Sequence, residues 1–343
     1  MTGRERVTAL LRGGEPDHLP FMPITMMLAA RHNGALYRDY VTDHRVLAEA
    51  QMRIAEDFGI DHVSVISDPA REVSDLGGAV EWFADQPPAV VEQRALLEDK
   101  ARLLRLRLPD SSVAPRMCDR VEGVRLLRER VGRDRIVEGW VEGPCAMAAD
   151  LRGLNRLMLD FFDDPRFVHD LFSFSLEMEF ETARAQIAAG ADLVGVGDAA
   201  ASLIGPRLYS QFVLPYECRL IERIRQAGAW VRLHICGKTR KIFGGMARTG
   251  AEIVDLDYPA PVGDARAVMG PDQVLLGNLE PVGVMRDGTP DQIEEGFARC
   301  HREAGPRYIV GAGCEVPVGT PAENLRAAAR YAQTHRNASP VPH

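Results

Sequence analysis

The sequence predicts an α/β protein: a (β/α)8 TIM barrel with an N-terminal helix and an inserted hairpin. Short apolar, β-branched runs alternate with longer amphipathic runs, which is the pattern of repeated βα units. Residues that carry chemistry fall just past the ends of those short runs, where barrels of this kind place their sites. The chain has 343 residues, enough for one barrel of ~250 residues plus additions.

The elements follow in order. A first helix is expected from about Arg4 to Arg12. Eight strands are then expected at Pro20–Ile24, His62–Ile66, Arg135–Val141, Ala191–Val196, Trp230–Cys236, Glu252–Leu256, Gln273–Leu276 and Arg307–Val310. Helical periodicity covers Asp43–Phe58, Pro165–Ala189, Pro206–Ala227, Thr239–Thr249, Pro290–Ala304 and Pro321–Thr334. Several of these open on proline, whose fixed φ suits a first helical turn. Residues 75–132 break the alternation, and Ala79–Phe83 with Ala89–Glu92 read as a hairpin joined through Gln86-Pro87-Pro88. One domain is therefore expected over residues 1–336, with 75–132 inserted between barrel strands and 337–343 a flexible tail.

Composition narrows the function. A net charge of −8 without a stripe of Lys or Arg argues against a nucleic-acid partner, whose affinity rests on clustered cations. No run of 18 apolar residues occurs, and the N-terminus lacks an apolar leader core, so no membrane association and a cytoplasmic location are expected. The six cysteines are scattered rather than arranged as a disulfide framework, and in a reducing compartment thiols more often bind metal. Cys118, Cys218 and Cys300 read as inert thiols, and Cys145 as packing.

Against that background, Leu233-His234-Ile235-Cys236-Gly237 and the later Gly313-Cys314-Glu315 stand out. His234 and Cys236 are two apart on a strand, so both side chains leave the same face. An imidazole and two thiolates form a donor set that Zn²⁺ favours, and three protein ligands leave a fourth position open. A fourth ligand has four candidates near strand ends, Asp257, Asp255, Glu142 and Asp198; helix capping or a loop ion pair is the competing role for Asp255 and Asp257. Met22, Met26 and Met27 offer an adaptable apolar wall, with core filling the commoner use. Gly195-Val196-Gly197-Asp198-Ala199-Ala200 matches a loose dinucleotide fingerprint, but Asp198 stands where a pyrophosphate would approach the backbone.

Several landmarks resemble the uroporphyrinogen decarboxylase superfamily, and within it the cobalamin-dependent branch of methylcobalamin:coenzyme M methyltransferases. They are Arg6-Val7-Thr8-Ala9-Leu10-Leu11 with Pro16-Asp17-His18-Leu19-Pro20, Leu214-Pro215-Tyr216, His234-Ile235-Cys236-Gly237, Gly277-Asn278-Leu279-Glu280-Pro281, and Gly313-Cys314 with Thr320-Pro321-Ala322-Glu323-Asn324-Leu325. The decarboxylases hold substrate carboxylates with an Arg-Gln-Ala-Gly-Arg-Tyr segment; here Arg31-His32-Asn33-Gly34-Ala35-Leu36 keeps one arginine and lacks the second. The resemblance implies His234, Cys236 and Cys314 as zinc ligands, Asp198 and Glu142 as catalytic candidates, and Asn278 as a candidate for binding cofactor or substrate. It implies a zinc-dependent methyltransferase that exchanges a methyl group between methylcobalamin on a partner corrinoid protein and a small-molecule thiol, ether, amine or folate. The alternative is a uroporphyrinogen-type decarboxylase without a metal.

Overall fold

A computed structural model describes residues 1–336; residues 337–343, expected as a flexible tail, lie outside it. In chain order the strands are β1 (His62–Ser64), β2 (Val80–Glu81), β3 (Ala89–Val90), β4 (Ile136–Glu142), β5 (Leu193–Gly197), β6 (Trp230–Ile235), β7 (Ile253–Leu256), β8 (Val274–Leu276) and β9 (Tyr308–Ile309). Seven of them form one sheet in the order β1-β4-β5-β6-β7-β8-β9, parallel throughout. The expected first strand, Pro20–Ile24, is reduced to a single bridge between Phe21 and Val310. Pro20 and Pro23 remove two backbone donors there, which limits ladder formation. The segment nevertheless closes the ring: Asp61 N donates to Phe21 O at 3.0 Å and Met22 N to Val310 O at 3.0 Å. The barrel is complete.

Strand alternation sorts the inward side chains into three layers. Ile136, Leu193, Ile253, Val274 and Ile309 form an apolar floor with Val7 and Leu10 of the N-terminal helix, Gly3–Leu11. That helix starts at a Thr2–Glu5 capping box and shuts the bottom of the barrel. Two residues further along the strands come His62, Glu138, Arg232 and Asp255, all buried and charged or titratable. Arg232 joins Glu138 at 3.3 Å to Asp255 at 2.7 Å inside the barrel. Two residues further again, Trp140 and His234 face the mouth, followed by Glu142 and Cys236. The outward residues, among them Val137, Val141, Val194, Val196, Leu233 and Val254, pack against the surrounding helices in the main core.

Of residues 75–132, Pro115–Val131 is a helix packed between helices His44–Phe58 and Pro165–Ala189, beside β4. It therefore serves as the crossover from β1 to β4, and the part outside the alternation ends before Pro115. The β2–β3 hairpin forms as expected, with Val80 opposite Val90 and Glu81 opposite Ala89. Contacts from Tyr37 N to Asp85 and from Arg38 N to Ala84 O hold it over the mouth. Among the described residues no helix is long and apolar enough to cross a membrane.

Candidate metal centre at the barrel mouth

His234 and Cys236 project from the end of β6, and Cys314 comes from the turn after β9. Their ligand atoms lie within 4.8 Å of one another. His234 Nε2 is 3.2 Å from Cys236 Sγ, and the two sulfurs are 3.9 Å apart. Both thiols are free, so the pair is not a disulfide. A tetrahedral zinc with Zn–S of about 2.3 Å and Zn–N of about 2.1 Å would separate the sulfurs by about 3.8 Å and a sulfur from the nitrogen by about 3.6 Å. The donor atoms already stand near that arrangement.

The imidazole is oriented from below. Its Nδ1 faces Asp255 Oδ2 at 3.0 Å, so Nδ1–H donates to the carboxylate and Nε2 faces the thiols. Burial disfavours the charged ring, yet Asp255, with Cys236, raises the His234 pKa well above its usual value. Asp255 itself is lowered, against its burial, by Arg232 and His234. Such a carboxylate behind a ligating histidine fixes its tautomer and strengthens it as a donor. The two thiols share a hydrogen bond, so that, with His234 favouring the thiolate, the pair releases one proton readily and holds the second.

Cys236 is followed by Gly237 with φ 88°, a left-handed turn that suits glycine. The turn sends the Gly237 amide to Asp257 Oδ2 at 2.5 Å, and Tyr258 N donates to Oδ1 at 2.6 Å. None of the four carboxylates considered as a fourth ligand joins the cluster among the described residues. Asp257 is engaged by two amides and Asp255 by Arg232 and His234. Glu142 stands across the cavity, and Asp198 lies behind the wall.

A cavity of about 240 Å³ opens onto the three ligands, walled by Ile24, Met26, Ile66, Trp140 and the hairpin's Pro87, with Asp68, Glu142 and Glu315 as its carboxyl groups. Glu142 is pushed up to about 8 by burial, opposed by Arg71 at 3.7 Å and reinforced by Glu72 and Asp198. Burial likewise raises Glu315 to about 7, although Met27 N donates to it at 2.7 Å. Trp140 lies against β5 because glycines there leave room: a Cβ on Gly195 would come 2.1 Å from Trp140 Cε3. The glycine pattern at 195–197 thus accommodates an indole.

Asp198 is fully buried and accepts from Cys145 N at 3.3 Å and Ala146 N at 2.7 Å, capping helix Pro144–Arg152. Burial raises both Asp198 and the neighbouring Glu217. Asn278 also turns away from the cavity, donating to Asp257 O at 2.9 Å and Ala260 O at 2.5 Å. Trp140, Asp68 and Glu315 were missed as site residues in the sequence. The first sits two residues before Glu142 on the same strand face, and Glu315 sits beside Cys314. Asp68 follows β1 at a spacing that returns it to the inner face.

Residues 2–335 match the family described as uroporphyrinogen decarboxylase (URO-D). The chain belongs to this family. Across 346 residues it is 26% identical to a methylcobamide:CoM methyltransferase of Methanosarcina mazei, covering 98% of each chain. It is 28% identical over 276 residues to a uroporphyrinogen decarboxylase of Nocardia farcinica, covering 79% of this chain and 75% of the other. The solved structure of a methyltransferase from Methanosarcina mazei matches with a TM-score of 0.83 at 22% identity, over 96% of this chain and 98% of that one. That likeness confirms the barrel read from the alternation, and the family read from the motifs holds.

Proposed function

We propose that this chain moves a methyl group between a corrinoid carried by a partner protein and the heteroatom of a small molecule, with zinc held by His234, Cys236 and Cys314. The observation that carries this reading is the convergence of one imidazole nitrogen and two thiols at the end of a cavity. The near-tetrahedral spacing of the donors and the open side toward the cavity fit zinc with one exchangeable position. The relative named as a methylcobamide:CoM methyltransferase, matched end to end, supports the corrinoid partner. The free thiols fit a cytoplasmic setting.

Bound there, zinc would supply a Lewis acid that favours a substrate thiolate at neutral pH or polarises an ether, amine or thioether. The chain's own residues do the rest. Asp255 holds His234 in the tautomer that presents Nε2. Ile24, Met26, Ile66 and Trp140 exclude water from the reacting atoms. Glu142, neutral at pH 7, presents an O–H to the substrate; in the demethylating direction it is placed to protonate the departing heteroatom. In the thiol-methylating direction the substrate sulfur attacks the methyl carbon in line. A corrinoid held by the partner would supply the methyl group for that new S–C bond and would take up the electron pair of its C–Co bond. Asp198 and Asn278 act as positioning residues, the first through helix Pro144–Arg152 and the second through the loop at Asp257–Ala260.

The metal-free decarboxylase alternative calls for cations to hold a substrate's carboxylates. Arg31 is instead exposed and pairs with Asp85 at 3.3 Å. Metal analysis tests the proposal. About one zinc per chain is expected in the wild type, as for a three-ligand catalytic site, and none in a Cys236→Ser, Cys314→Ser double variant. Methylcobalamin turnover, followed by its visible spectrum, should disappear with the metal. Turnover unchanged in the double variant would overturn the reading.

A further inference from the structure

We propose that the small molecule received by this cavity is neutral or cationic, and that compounds bearing a sulfonate or carboxylate are rejected. This deepens the function proposed above and rests on it in taking the His234–Cys236–Cys314 end as the reacting end. The cavity adjoins a second one of about 350 Å³, and the two share Pro69, Glu142 and Ala199. Carboxyl groups line both, with Glu92 and Asp150 in the outer one. Among the described residues no Lys or Arg lines either cavity. Whichever of the carboxyls holds a proton, none can carry positive charge.

The cations nearby lie behind the lining and face carboxyl groups, although among the described residues Arg71 Nη2 and Arg116 Nε and Nη1 have no hydrogen-bond partner. Arg71 is 1% exposed and sits against Glu72 at 3.3 Å and Glu142 at 3.7 Å. Arg116 binds Asp68 at 2.7 Å and Val41 O at 2.9 Å. Lys238, just beyond Cys236, is exposed and lines neither cavity. Helix Pro144–Arg152 aims its N-terminus at this region, which would suit an anion, but the Asp198 carboxylate already occupies its Cys145 and Ala146 amides. An anionic headgroup would leave water to face carboxyl groups and apolar walls with no cation on the lining itself. A neutral group meets no such penalty. An ammonium gains from the carboxyl groups and from the face of Trp140.

Three thiols of equal length separate the cases: 2-sulfanylethanesulfonate, 2-sulfanylethanol and 2-sulfanylethylamine. Their dissociation constants are measured by calorimetry on the protein purified with zinc, and methyl transfer from methylcobalamin is assayed separately. The alcohol and the amine should bind at least about tenfold more tightly than the sulfonate, the scale of one unfavourable charge pair. Asp68→Asn, which leaves Arg116 without its carboxylate, should narrow that ratio severalfold. Sulfonate binding as tight as the alcohol's, or no binding of alcohol and amine, overturns the proposal. The charge order without methyl transfer from any of the three would instead sink the methyltransferase reading and leave this one standing.

Discussion

Two adjacent layers inside the barrel treat polar groups in opposite ways. In the middle layer Glu138, Arg232 and Asp255 are each 1% exposed and satisfy one another's charge, while His62 beside them is driven down to about 3 by burial and by Arg232. One residue pair higher, His234, Cys236, Cys314 and Glu142 line a cavity, so their ligand and carboxyl atoms stand where a metal and a substrate can reach them. The middle layer holds still what the upper layer presents. Asp255 belongs to both, with Arg232 on one side and the His234 imidazole on the other. The contrast separates a part of the barrel that fixes geometry from a part that keeps valences open.

Breaking the lower layer should cost the most. Arg232→Met takes from Glu138 and Asp255 the guanidinium they share, and removing one partner of a buried pair costs about 3–5 kcal/mol. Urea unfolding of the variant should read that loss. Cys236→Ser should abolish metal binding with far less change in the same midpoint, and equal losses in both variants would erase the distinction between the layers. Asp255→Asn tests the residue they share. It keeps a side chain of the same shape but takes the charge from behind the imidazole, and zinc affinity should fall about 10–100-fold, the usual effect of losing such a supporting partner. A competition titration with a chelator measures it.

The two layers also differ in how much the sequence discloses. His234, Cys236 and Cys314 were legible because a strand's period of two puts a pair on one face, and because the ends of barrel strands converge. The charged middle layer was not. Glu138 and Arg232 are 94 positions apart and read singly as ordinary polar residues; their pairing exists only after β4, β5 and β6 have aligned. Asp198 lay where the sequence placed it, after β5, but its side chain went to a helix terminus and to Glu217, neither of which periodicity reveals. The apolar content of Pro20–Ile24 suggested a full first strand and outweighed the two donors that Pro20 and Pro23 remove.

Gly195→Ala sharpens the comparison from the side of shape. The new methyl would overlap the Trp140 ring, and overpacking of this kind costs about 1–3 kcal/mol. The displaced indole should shrink the cavity, so substrate KM should rise while zinc content stays at the wild-type level. Zinc loss together with the rise in KM would mean that the aromatic wall and the metal ligands are not separate parts of the upper layer.

Glu142→Gln is expected to have the smallest effect on thiol methylation at neutral pH and the most specific signature. Burial holds the folded carboxyl at about 8, above the usual value for Glu, so between those two values the folded chain keeps a proton that the unfolded chain releases. Stability contributed by the neutral carboxyl is therefore present below the ordinary Glu value and is lost as pH rises through about 8. Methyl transfer that uses the protonated group should decline over the same upper window. Glutamine keeps a hydrogen-bond donor but cannot ionise, so the variant should lose the alkaline limb of the pH–rate profile while retaining activity in reactions that need only a donor. Where the leaving heteroatom must be protonated, the variant should slow at every pH. Comparing a thiol acceptor with a methylated amine or ether in the two proteins therefore reads whether Glu142 donates a hydrogen bond or a proton. An alkaline limb that persists in Glu142→Gln would assign that titration elsewhere in the upper layer.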